Sequence, residues 1–62
     1  SDLYISTDAE IESIEIHTLT GVRAFSTKTN SKQINVAALT SGNYIVSVHT
    51  NSGAVKRLIV KQ

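Results

Sequence analysis

Two histidines have the widest range of chemistry in this 62-residue chain, since an imidazole can transfer protons or bind a metal. His17 lies two residues after Glu15, which places both on one face of a strand, but His49 is far away in sequence. A metal site needs three or four converging ligands. The chain has no cysteine, and no serine lies in a nucleophile-elbow sequence. The sequence therefore predicts no enzyme activity, no metal and no other cofactor.

The charges are divided along the chain, although the net charge is only +1. All five acidic residues precede Arg23, and all six basic residues lie from Arg23 onward. Nucleic-acid binding would call for basic residues interleaved with stacking aromatics, and this chain has three aromatics and no strong field. Two interpretations of the division stay open: solvated strand faces, or a basic C-terminal end that binds an acidic partner surface.

Alternation of apolar and polar residues recurs along the chain, whereas helical periodicity is poor throughout. It predicts six short strands, at 2–6, 12–19, 22–27, 32–36, 43–50 and 54–61. A single sheet would leave its apolar face exposed to water, so a second sheet is needed to cover it. We therefore expect an all-β fold, a small Ig-like antiparallel β-sandwich of six to seven short strands. The expected core residues are Leu3, Ile5, Ile14, Ile16, Ile34, Val36, Leu39, Tyr44, Val46, Leu58 and Val60.

The last hairpin can be aligned by parity, because residues opposite each other in an antiparallel pair lie on the same face. A three-residue loop at 51–53 places Tyr44 opposite Val60 and Val46 opposite Leu58, which pairs apolar residues together. The alternative is a two-residue loop that places Tyr44 opposite Lys61 and Val48 opposite Arg57, and it would therefore pair apolar residues with basic ones. The three-residue register is therefore predicted.

Two glycines are predicted at positive φ in the hairpin turns, Gly21 in the earlier one and Gly53 in the last. For the earlier hairpin, a three-residue loop is preferred, which places Ile16 opposite Ala24. The face on which Phe25 lies is left open.

The string "INVAALTSGNYIVSV" orders the end of the core: Leu39 closes it, Gly42 permits a tight reversal, and Tyr44 enters at the core edge. Together with "IESIEIHTLTG", the early "LYIS" and the final "VKRLIVKQ", it resembles the C-terminal sorting domain of the type IX secretion system, type A. The resemblance extends from Leu3 to Lys61. Members of that family usually begin with an Asn/Pro-rich stretch, and this chain has no proline.

The resemblance implies a secretion signal that directs a cargo protein of Bacteroidetes-type bacteria through the periplasm to the cell surface. Its implied partners are an outer-membrane translocon, a sortase-like peptidase that removes the domain, and an N-terminal cargo domain of the same chain. Residues 1–62 would then be a single C-terminal sorting domain excised from a longer secreted protein. The alternative is an Ig-like or fibronectin-like accessory or spacer module of an extracellular enzyme or adhesin, since fold does not fix function.

The predicted register leaves an apolar stripe flanked by cations on the outward face of the last hairpin, and we expect partner recognition there. The residues of this predicted site are Ile45, Val55, Arg57, Ile59 and Lys61. An edge strand at this place could add to a partner strand, its lysines could guard against unwanted pairing, or an additional strand or terminal segment could cover the stripe. A homodimer through the same hairpin is left open.

Overall fold

The computed structural model describes residues 2–62 and shows an all-β chain. Each of the six predicted strands is present, within two residues of the predicted bounds at either end. The strands are β1 Asp2–Tyr4, β2 Ile11–Thr18, β3 Arg23–Thr27, β4 Gln33–Asn35, β5 Gly42–Thr50 and β6 Gly53–Lys61. The described part of the chain contains no helix that could cross a membrane.

Two antiparallel sheets pack face to face as a small β-sandwich, as predicted. The smaller sheet pairs β1 with β4, and the larger has the order β3-β2-β5-β6, so β3 and β6 are its edges. Ile34 and Val36 of the small-sheet side meet Ile14, Ile16 and other residues of the large sheet in one core. The two-stranded sheet covers only part of the four-stranded sheet. It covers β6 least, and every residue of β6 is exposed or half-buried.

The turn between β2 and β3 is closed by hydrogen bonds to Thr18. Its carbonyl accepts from the Gly21 amide at 3.0 Å, its amide donates to the Val22 carbonyl at 2.8 Å, and its hydroxyl accepts from the Val22 amide at 3.1 Å. Gly21 has φ of 92°, a conformation that costs glycine little and a side chain much. These bonds hold the turn with backbone and short side chains alone.

Most of the predicted core is buried, but its C-terminal members are not. Ile14 and Ile16 are fully buried, whereas Leu58 and Val60 were expected in the core and are 67% and 65% exposed. The prediction for those two is wrong, and Ile59, expected outside, packs against the core instead. Ile11 and Val48 are buried core residues beyond the predicted set.

The register of the last hairpin explains this exchange. The loop has two residues, Asn51 and Ser52, and Gly53 already pairs with Thr50. Every residue of β6 therefore lies one place away from its predicted partner, and Tyr44 is opposite Ile59. A shift of one residue moves a whole strand to the other face.

The register of the first hairpin is also different from the preferred one. Ile16 lies opposite Phe25, not Ala24, because an irregularity between Ile16 and His17 inserts a residue into β3. Beyond this bulge, His17 is opposite Arg23. The bulge turns Phe25 toward the sandwich interior, where it packs against the core, and so settles the face that the sequence left open.

Candidate docking surface

The outward face of the last hairpin carries the least protected apolar side chains of the large sheet. Ile45 on β5 is opposite Leu58 on β6, and Asn43 is opposite Val60. Ile45 is half-buried between its neighbours, while Leu58 and Val60 project from the edge strand into water. Lys56 lies on the same face opposite Ser47. We call Ile45, Leu58, Val60 and Lys56 the hairpin patch.

The residues predicted for recognition are divided between the two faces of the hairpin. Ile45 lies on the outward face, but the other four predicted residues alternate with Lys56, Leu58 and Val60 and so lie on the core-facing side. Those four are Val55, Arg57, Ile59 and Lys61. The expectation that all five share one outward face is therefore wrong, for the register reason given above.

A groove of about 720 Å³ runs above the core-facing side of β6. Leu3 and Ile5 line one wall, and Val55, Arg57 and Ile59 line the other. It is mostly apolar because the two-stranded sheet ends at β1 and leaves the edge of the larger sheet uncovered. Arg57 is exposed there, so its guanidinium is accessible from the side of the groove.

The outward face farther from the edge is polar and is organised around one carboxylate. Glu15 lies 3.3 Å from His49 (Oε1 to Nε2) and 4.0 Å from Arg23 (Oε2 to Nη1). Exposed pairs of this kind contribute little to stability, about 0–1 kcal/mol each. The described residues contain no group of three His, Cys, Asp or Glu side chains that could hold a metal ion. The three side chains are partly exposed to water, and the cluster adjoins the hairpin patch through β5.

The motif around Tyr44 anchors the hairpin that carries the patch. Tyr44 is buried, and its hydroxyl donates to the Thr40 carbonyl at 2.7 Å and lies 3.1 Å from the Thr40 hydroxyl. The Leu39 amide donates to the Val36 carbonyl at 3.0 Å, and Gly42 begins β5 at φ of 155°. These contacts tie the loop after β4 to the start of β5, and thus fix where the hairpin leaves the core.

The comparison with protein families identifies the class of domain. The family model of the secretion system C-terminal sorting domain matches residues 1–61. The chain belongs to this family. Sorting domains of the type IX secretion system carry a cargo protein to the secretion machinery, so this one is a sorting signal for export through the periplasm to the cell surface or the medium.

Membership of the family also indicates what kind of role the sorting domain has. The family is not a catalytic one, and its members interact with the type IX machinery as the C-terminal tail of a cargo. No curated protein and no solved structure matches the chain. The likeness to immunoglobulin-type sandwiches therefore stays a prediction, while the two-sheet architecture is observed directly.

Leu58 and Val60 are the residues of the patch that sequence reasoning placed in the core. The run Leu58–Ile59–Val60 is apolar in both strand phases, so alternation could not separate an inward set from an outward one. One signal could have found them. Thr50 and Gly53 can close a two-residue turn, in which the Thr50 hydroxyl donates to the Gly53 carbonyl at 2.7 Å and accepts from the Ser52 amide at 3.1 Å.

Proposed function

We propose that this sorting domain is the C-terminal part of a longer secreted protein and is recognised by the outer-membrane translocon through its last hairpin. In this proposal it catalyses nothing, and a sortase-like peptidase removes it from the N-terminal cargo at the cell surface. Membership of the sorting-domain family over residues 1–61 supports the role. No observation favours the alternative of an Ig-like or fibronectin-like spacer module.

The hairpin patch is the observation that carries the docking proposal. Leu58 and Val60 are exposed side by side on one face of an edge strand, next to Ile45 and Lys56. A folded domain gains nothing in stability from apolar side chains left in water, and a cluster of them marks an interaction surface. Anchoring residues of an interface are those that become fully desolvated on binding. For Val55, Arg57, Ile59 and Lys61 a role in recognition stays a prediction.

The proposal predicts that a single charge in the patch blocks export. Residues 1–62 are fused behind a periplasmic reporter in a type IX-competent strain, and reporter at the cell surface is measured by protease accessibility. We expect the parent fusion to reach the surface and the Leu58→Asp fusion to be reduced by about tenfold or more, because a buried unpaired carboxylate costs at least about 1.4 kcal/mol at an interface.

The matched control is Tyr4→Asp, which places the same charge at a residue that is 71% exposed on the other sheet. It should leave export at the parent level, and circular dichroism of both purified variants should show the parent fold. Normal export of a folded Leu58→Asp domain would show that the translocon docks elsewhere. Failure of the parent fusion to reach the surface would contradict the sorting function itself.

A further inference from the structure

The free edge of β6 is the longest unpaired strand edge of the large sheet that the structure describes, and all of its formal charge is positive. The strand has nine residues, Gly53–Lys61, and is hydrogen-bonded only to β5. Because N–H and C=O groups of a strand point alternately to its two sides, about half of those in β6 face away from β5. Such an edge is a template for another strand.

The charges of β6 have no partner of opposite sign within the described residues. Lys56, Arg57 and Lys61 take part in no salt bridge there. Arg57 donates to the Lys56 carbonyl at 3.3 Å, and Lys61 donates to the Gln62 carbonyl at 3.2 Å. The adjoining strand β5 contains no acidic residue either. An added strand would thus meet three uncompensated cations.

Charge disfavours a second copy of this chain as the occupant. Two β6 strands paired edge to edge would bring three bases from each copy, six in all, into one seam without an acid. Like charges on directly opposed strands are destabilising. The homodimer through this hairpin, which the sequence left open, is therefore disfavoured, and the occupant must carry negative charge.

We propose that the edge of β6 accepts an extended acidic strand of a partner protein, which becomes a fifth strand of the large sheet. The pattern of β6 specifies its chemistry: apolar residues opposite Val55 and the run 58–60, and carboxylates opposite Lys56, Arg57 and Lys61. On the outward face the added strand covers Leu58 and Val60, and on the other face it borders the groove. This inference rests on the proposed function and gives the chemistry of the docking partner.

A synthetic peptide tests the inference directly. The probe is a capped nonapeptide, Asp-Val-Ile-Val-Glu-Glu-Val-Thr-Thr, which places its acids opposite the three bases when it lies antiparallel to β6. It is titrated into the ¹⁵N-labelled 62-residue chain. We expect saturable binding, with chemical-shift changes and slowed amide exchange along alternate residues of β6. A peptide of the same composition, with its acids moved opposite residues 58–60, should not bind.

Charge reversal provides the second arm. The Lys56→Glu and Arg57→Glu double variant should lose affinity for the acidic peptide by about tenfold or more, because two attractive cross-strand pairs become repulsive. It should regain affinity for a peptide in which lysines replace the two glutamates and the aspartate opposite Lys61 is kept. Absence of binding to the parent chain would overturn the inference and assign the lysines to edge protection. Dimerisation through β6, measured by sedimentation, would overturn it too.

The export assay and the peptide titration test the sorting function and strand addition separately. If the parent fusion reaches the surface but the acidic peptide does not bind, the sorting function stands and strand addition is wrong. If the peptide binds along β6 but the parent fusion stays in the periplasm, the edge is a real strand-binding site and the sorting function is wrong.

Discussion

Tyr44 shows how one residue links the core of this sorting domain to its last hairpin. The ring fills the core edge, and the hydroxyl satisfies the Thr40 carbonyl at the turn that precedes β5. Burial of the ring and the hydrogen bond of the hydroxyl therefore both stabilise the place where β5 leaves the core. The 2.7 Å bond joins the loop before β5 to the core edge within a few residues of the start of the strand.

Replacing Tyr44 by phenylalanine tests that link. We expect the free energy of unfolding to fall by about 0.5–1.5 kcal/mol, because the hydrogen bond is lost while the ring remains. Chemical denaturation of the purified domain measures the change. Tyr4→Phe, at an exposed tyrosine, is the control and should change stability by less than about 0.5 kcal/mol. Equal effects of the two substitutions would show that the Tyr44 hydroxyl is not a structural contact.

At the scale of the element, β6 is a strand with two almost equivalent faces. One phase contains Ala54, Lys56, Leu58 and Val60, and the other contains Val55, Arg57, Ile59 and Lys61. Each has bulky apolar residues and at least one base, so hydrophobicity gives little preference between them. The two-residue turn sets the phase and turns Ile59 toward the core. The same choice exposes the hairpin patch.

Alanine substitutions at Leu58 and Ile59 test which of the two side chains of β6 faces the core. Ile59→Ala should lower the free energy of unfolding by about 1–2 kcal/mol, because a half-buried side chain loses its contact with the core. Leu58→Ala should change it by less than about 0.5 kcal/mol, because that side chain is in water in the folded domain. The reverse order of effects would favour the three-residue register and place Leu58 inside.

On the scale of the whole molecule, the sorting domain has a thin core and a small margin of stability. A chain of 62 residues buries only about 60% of its unfolded surface, and a net stability of about 3–5 kcal/mol is expected. Ile14 and Ile16 are the largest side chains with full burial among the described residues. Integrity of the hairpin surface therefore depends on a few central contacts.

Truncation of Ile14 tests whether recognition requires the folded domain. Ile14→Ala should cost about 2–5 kcal/mol, which is comparable with the whole stability, so we expect loss of cooperative unfolding and loss of export of the fused reporter. Ile14→Val should cost about 0.5–1.5 kcal/mol and preserve both. If the unfolded Ile14→Ala domain were still exported, the machinery would recognise the linear sequence and not the β-sandwich.

The sequence by itself determined the class of this domain. Alternation located all six strands, the need to cover an apolar sheet face predicted the sandwich, and the ordered motifs from Leu3 to Lys61 indicated the sorting-domain family. These features are local, or depend only on the order of motifs. Charge division could also be seen in sequence, since every acid precedes Arg23.

Only the tertiary structure decided which side of the last strand faces outward. Leu58, Ile59 and Val60 are all apolar, and a shift of one residue at the turn exchanges their faces without changing the local pattern. The bulge that brings Phe25 opposite Ile16 is a second case, because an inserted residue leaves no signature in alternation alone. In both, the outcome depends on which side chains the opposite sheet covers, and that is a property of packing between elements distant in sequence.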